Sequence, residues 1–140
     1  YAVDADSIVQ SVPLDGRAFA ATMAAARLVH VELAGRAGQG VDGWADEYSL
    51  ATLGRAAGLV RELVRVVGCP VVRLGAEDWL AMRPGIYDHY AITQALQLAR
   101  AREMRTEPWW DSGRSKWRHT DHTDVGPTYP WEAFMAAVRA

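Results

Sequence analysis

Cysteine is nearly absent: Cys69 is the only one in 140 residues, which excludes an intrachain disulfide and any zinc cluster built from thiolates. A metal ion, if the chain holds one, must sit on histidine and carboxylate. Long apolar runs are missing too, since nothing approaches the roughly 20 residues that span a bilayer and no charged-then-apolar leader stands at the start. The chain therefore reads as soluble. Charge of one sign is also lacking: 15 Lys and Arg against 17 Asp and Glu leave a formal −2, so no global field draws the chain to nucleic acid or to an anionic membrane surface. No G-x-S-x-G elbow is present, which leaves Ser/His/Asp hydrolysis unsupported. Internal repeats and low-complexity tracts are missing as well. The first residue is Tyr1 rather than Met, and the expectation is that further sequence stood upstream of it.

What is present is enough for one domain with a real core, since 50% of the residues are hydrophobic. The opening "YAVDADSIVQSVPL" places apolar pairs on either side of a polar turn, which predicts a β-hairpin over Tyr1–Leu14. "RLVHVELAG", Arg27 to Gly35, alternates with period two. It predicts a strand with His30 and Glu32 on one face and Val29, Val31 and Leu33 on the other. From Asp46 to Val67 the residues Leu53, Ala56, Ala57, Val60, Leu63, Val64 and Val67 recur at three-and-four spacing before Gly68 and Pro70, the pattern of a long amphipathic helix. Val71–Leu74 suggests a short extended piece, "GAEDWLAM" a brief helix, Gly85–His89 a short strand or turn, and Ile92–Arg105 a further helix. Thr106–Arg118 carries Pro, Gly, Ser and three tryptophans without periodicity and reads as a loop. Pro130 starts a last helix over Trp131–Arg139. Strands and helices in mixed order predict an α/β or α+β fold rather than a bundle.

The densest chemistry lies in "RHTDHTDVGPTYPW", Arg118 to Trp131, which packs His119, Asp121, His122 and Asp124 into six residues. Zinc hydrolases use three protein ligands, commonly histidine with a carboxylate, and keep a fourth position for water. His119, His122, Asp121, Asp124 and the distant His89 are the available donors. Spacing alone leaves two readings open, a metal site or a solvated polar loop whose Asp and Thr cap the last helix.

Taken together and in order, "LVHVELAG", "GIYDHYAIT" (Gly85–Thr93) and "HTDVGPTYPWEAF" (His122–Phe134) resemble the type-2 N-acetylmuramoyl-L-alanine amidases. These are the zinc amidases of peptidoglycan, and the resemblance is in particular to endolysins of phages that infect actinobacteria. The resemblance runs from Tyr1 to the end, and its most specific part is the aspartate motif with its aromatic tail. It implies a mixed β-sheet flanked by helices, similar to the amidase and peptidoglycan-recognition-protein fold, forming a single catalytic domain over residues 1–140 without its first strand. It implies hydrolysis of the amide between N-acetylmuramic acid and L-alanine, action at the bacterial cell wall, and zinc as cofactor. Carried onto this sequence, His89 and Asp124 become zinc ligands. Glu32 becomes the base acting on water, and His122 the group that stabilises the oxyanion.

The departures from the family pattern carry their own expectations. The family's first zinc histidine lies on a strand before the hairpin, outside this sequence, so one ligand is expected to be missing and the chain alone to be weakly active. "RAFAAT" has no histidine where a Trp-His-Ala-type motif is usual, and Tyr87 and Asp88 stand where small residues are usual. His30 replaces a glycine two residues before Glu32. It reads either as a substitute third ligand or as a polar side chain filling space. A competing function is a degenerate amidase fold that binds peptidoglycan or a protein without cleaving it. The basic and aromatic residues of Arg100–Arg118 offer a nucleic-acid alternative, which the interspersed Glu103, Glu107 and Asp111 and the acidic balance disfavour. Cys69 beside Pro70 reads as buried filler, since nothing in the sequence supplies it with a base.

Overall fold

The computed structural model describes residues 1–16, 28–36, 38–106, 110, 111, 113, 114, 116, 117 and 121–140. Strands β1 (Ala2–Val3) and β2 (Ile8–Val9) pair antiparallel, with Ala2 opposite Val9 and Val3 opposite Ile8. The turn between them is organised by Asp4, whose carboxylate accepts from the N–H groups of Asp6 and Ser7 and from the Ser7 hydroxyl. Those donors, Asp6 first, hold the Asp4 carboxyl down to about 2. The hairpin is the expected one, although its pairing ends at Val9 rather than Leu14.

Strand β3 (Glu32–Leu33) lies parallel to β1 on its other side, giving a mixed sheet of order β2-β1-β3 with Ala2 opposite Glu32. The strand expected over Arg27–Gly35 is thus much shorter. A strand extends only as far as its neighbour offers partners, and β1 ends where the Asp4 turn begins. Backbone bonds from Glu32 to Tyr1 and from Ala34 to Val3 mark the limits of the ladder.

Helix α1 (Val41–Ala45) leads into α2 (Glu47–Val67), whose ends follow the sequence signals. Asp46 caps it by accepting from the Ser49 N–H at 2.7 Å, and Gly68 closes it in the left-handed conformation at φ 67°. The apolar stripe of α2 packs on α5 (Trp131–Arg139). Leu53, Ala56 and Ala57 join Val3, Trp44, Tyr129, Phe134, Met135 and Val138 in one buried core.

A second core forms where α3 (Ala76–Leu80) meets α4 (His89–Ala101), built on Trp79, Ile92, Ala95, Leu96 and Ala99. The extended piece Val71–Leu74 bridges in parallel to Ile86, through bonds from Leu74 to Ile86 and from Ile86 to Val72. Here the structure corrects two boundaries. His89 does not end a strand-like segment but opens α4, because Asp88 accepts from the Ala91 N–H at 2.6 Å and caps the helix three residues earlier than periodicity suggested. At the far end α4 stops at Ala101 rather than Arg105, and Glu103 turns left-handed at φ 53°.

The Thr106–Arg118 segment, expected as loop, contains strands β4 (Trp110–Asp111) and β5 (Lys116–Trp117) paired antiparallel across Gly113. Tryptophan's preference for extended backbone, with a glycine between, is enough for a short ribbon. The Ala-rich stretch 17–27 lies outside the described residues. Among those described, no helix is long and apolar enough to cross a membrane.

Candidate metal centre

Two segments converge at the seam between the cores. The first turn of α4 supplies His89, held in place from behind by its own cap. Asp88, with its side chain only 7% exposed, caps the helix with one oxygen and meets the Arg73 guanidinium at 3.2 Å with the other. Arg73 in turn lies over the Trp131 ring, 4.3 Å from its centroid. One cation thereby ties the start of α4 to the start of α5.

The second segment is the loop His122–Pro130. It turns sharply after Asp124 because the Gly126 N–H donates to the Thr123 carbonyl at 2.7 Å, with Gly126 at φ 90°, a conformation that glycine adopts without strain. Two bonds dock this turn on α4. The Tyr90 N–H donates to the Asp124 carbonyl at 2.9 Å, and the hydroxyl of Thr93, a residue 3% exposed, donates to the His122 carbonyl at 2.9 Å. Beyond the turn, Tyr129 and Phe134 enter the first core.

The result is a three-donor group. One ligand atom each from His89, His122 and Asp124 lie within 4.8 Å of one another. Asp124 Oδ2 is 3.3 Å from His89 Nδ1 and 3.4 Å from His122 Nδ1, and the two imidazoles stack at 4.1 Å. Tetrahedral zinc with bonds of about 2.0–2.1 Å spaces its donors about 3.3–3.4 Å apart, so the spacing of Asp124 from each histidine suits such an ion, and histidine with carboxylate is a donor set that zinc accepts. Burial pushes the His89 imidazole below its ordinary 6.5, helped by the neighbouring His122 and opposed by Asp124 and Glu32. A neutral imidazole is the form that ligates a metal.

A cavity of about 990 Å³ opens beside the group, with His89, Asp124, His30 and Glu32 all in its lining. Val31 and Leu33 pack against the first core, while Glu32 is exposed. The alternation holds for Val31, Glu32 and Leu33, whereas Val29, expected on the apolar face with them, is exposed. The charge of Glu32 acts on both His30 and His89. Burial lowers the proton affinity of His30 below the ordinary value; Glu32 opposes this and His89 adds to it. His30 Nε2 is buried without a hydrogen-bond partner.

The two residues assigned as ligands, 35 positions apart, are thus in contact. His122, assigned to the oxyanion, stands with the donors themselves. His30, the candidate third ligand, is outside the three-donor group but in the lining of the same cavity. His119 lies outside the described residues. Asp121 is exposed and belongs to no donor group among those residues. The alternative in which loop Asp and Thr cap the last helix is not what forms, since Pro130 occupies the cap position with no side-chain bond. Sequence reading did not single out Arg73 or Thr93, and it noted Asp88 only as a departure from the family pattern, not as a cap. Asp88, three residues before Ala91, carried a legible capping signal; the other two depend on contacts distant in sequence. Comparison with protein-family models, with curated proteins and with solved structures finds no match to this chain.

Proposed function

We propose that the chain is a zinc-dependent amidase that hydrolyses the bond between N-acetylmuramic acid and L-alanine in peptidoglycan. The observation that carries this reading is the three-donor group of His89, His122 and Asp124, two of whose members, His89 and Asp124, line the same cavity as Glu32. The mixed sheet with flanking helices, and the order of the motifs along the chain, add support. Zinc, when bound, supplies Lewis-acid polarisation of the amide carbonyl and brings the pKa of water toward neutrality.

The residues divide the remaining work. Glu32, exposed at the cavity edge, accepts a proton from the attacking water as its oxygen bonds to the lactyl carbonyl carbon. The C–N bond then breaks, and Glu32 returns the proton to the departing L-alanine nitrogen. The products are a muramic acid carboxylate and a free peptide amine. The cleft walls orient the amide between base and donors, which converts encounter into an effectively unimolecular step. His122 completes the donor set from within the chain, so the ligand that the family resemblance places upstream is not required for a three-ligand site.

The test is release of new L-alanine amino termini from purified cell wall by the zinc-loaded chain, with a chelator-treated sample and Asp124→Ala as controls. Amine release that depends on zinc and on Asp124 supports the amidase. Sedimentation with cell wall but no amine release, under conditions where zinc is bound, would replace it with the binding module.

A further inference from the structure

The side of the donor group away from the cavity contains a residue whose chemistry the proposed reaction leaves unused. Thr93 is on the second turn of α4, one turn beyond His89, and is almost fully buried. β-Branched residues gain nothing intrinsic from a helix interior. A buried threonine hydroxyl most simply bonds back to the carbonyl four residues earlier in its own helix, as Thr52 does to Tyr48 in α2 at 3.0 Å. Thr93 instead directs its hydroxyl out of the helix to the His122 carbonyl at 2.9 Å, across 29 positions of sequence. His122 is the one exposed member of the donor group, so packing does least to fix it.

We propose that Thr93 is a positioning residue for the metal centre: by holding the His122 backbone against α4, it sets the third donor at coordination distance from Asp124. The Tyr90 N–H fixes Asp124 through its carbonyl in the same way, so one helix face carries the first ligand and holds the backbones of the other two. A backbone N–H is common to every residue except proline. The threonine hydroxyl is a side-chain donor that alanine or valine at this buried position would lack.

This inference rests on the metal-binding reading, and the experiment separates the two. Cobalt(II) serves as the probe because its visible bands report coordination geometry as well as occupancy. Titrations compare the unsubstituted chain with Thr93→Ala, Thr93→Ser and His89→Ala, with the thermal midpoint of each apo chain measured alongside. Loss of a residue that orients a ligand weakens metal binding by about 10-fold. Thr93→Ala is therefore expected to bind cobalt about 10-fold more weakly and with a shifted spectrum, while Thr93→Ser, which keeps the hydroxyl, stays close to the unsubstituted chain. Thr93→Ala and Thr93→Ser differ by one oxygen atom, and both are smaller than threonine, so overpacking cannot obscure the comparison. The proposal is overturned if Thr93→Ala lowers the midpoint but leaves affinity and spectrum unchanged, or if Thr93→Ser loses as much as Thr93→Ala. An unsubstituted chain that binds no more cobalt than His89→Ala would instead overturn the metal reading itself.

Discussion

On the α4 side of the cavity, each donor is tied down close to its own backbone: His89 by the Asp88 cap, Asp124 by the Tyr90 N–H, His122 by Thr93. On the β3 side, Glu32 is paired in the sheet ladder and exposed, the His30 carbonyl accepts from the Tyr1 amine, and the buried Nε2 of His30 has no hydrogen-bond partner among the described residues. The two walls suit different tasks. Donors about 3.3 Å apart have to be pre-placed, because an ion bound at about 2 Å tolerates little error. A base that takes a proton from one atom and gives it to another needs reach, and a side chain held only at its root has it. On the proposed reading, metal holding and proton transfer fall to separate pieces of secondary structure.

The largest effect that would sharpen this division is expected at Glu32. Glu32→Gln should lower amide cleavage by about 10²–10⁴-fold, the usual contribution of a general base, with zinc content unchanged by elemental analysis. If zinc is lost as well, the two walls are not separate. Next come the donors. His89→Ala, His122→Ala and Asp124→Ala should each weaken zinc binding by about 100-fold or more, since removing a ligand costs more than disturbing one. His30→Ala should leave zinc stoichiometry as it was. A calorimetric titration in which His30→Ala abolishes binding and His122→Ala does not would reverse the assignment and return the third ligand to β3.

A smaller effect is expected behind the donor wall. Arg73→Met removes the cation from a nearly buried Asp88 carboxylate and from the Trp131 face. Because the guanidinium is half exposed, the loss should be about 1–2 kcal/mol in urea unfolding, less than for a fully buried pair. Zinc affinity should fall with it, since Asp88 caps the helix that begins with His89.

The smallest effect is on pH. His89 and His30 are both held below their ordinary 6.5 by burial. The unfolded chain therefore binds these protons at higher pH than the folded one, and stability rises with pH across that interval. It is fully present above 6.5 and declines as pH falls through 6.5 toward the lowered folded values. The urea midpoint of the metal-free chain should accordingly be lower at about pH 5.5 than at about pH 7.5, and His30→Ala should reduce the difference. An unchanged midpoint would mean that neither imidazole is desolvated.

Local signals made some of the molecule readable in advance and left other parts hidden. The α2 helix was legible from end to end because its stripe, its Asp46 cap and its Gly68 stop are all written within the segment. The facing of Glu32 was legible from alternation alone. The start of α4 was missed because the aromatic and β-branched residues near His89 read as extended, and a single carboxylate at Asp88 outweighs them. The place of His122 in the three-donor group was hidden for another reason. Family resemblance assigns roles by position in a motif, whereas the three-donor group depends on how the turn at Gly126 brings that residue back onto α4. Arg73 and Thr93 could not be found from spacing, since each acts on a partner whose distance in sequence carries no period.

Docking both ends of one stretch on the same helix has a consequence for variation in this chain. The backbone leaves the donor site along α4 and returns to it at His122, where Thr93 and Tyr90 hold it again. The end of α4 at Ala101 and the loop at His122 are each held in place independently of the number of residues between them. Doubling the length of such a connection adds only about 0.6 kcal/mol of closure entropy, so residues can be gained or lost there without displacing a single donor. That makes the stretch between Ala101 and His122 the natural position at which to splice in a reporter peptide.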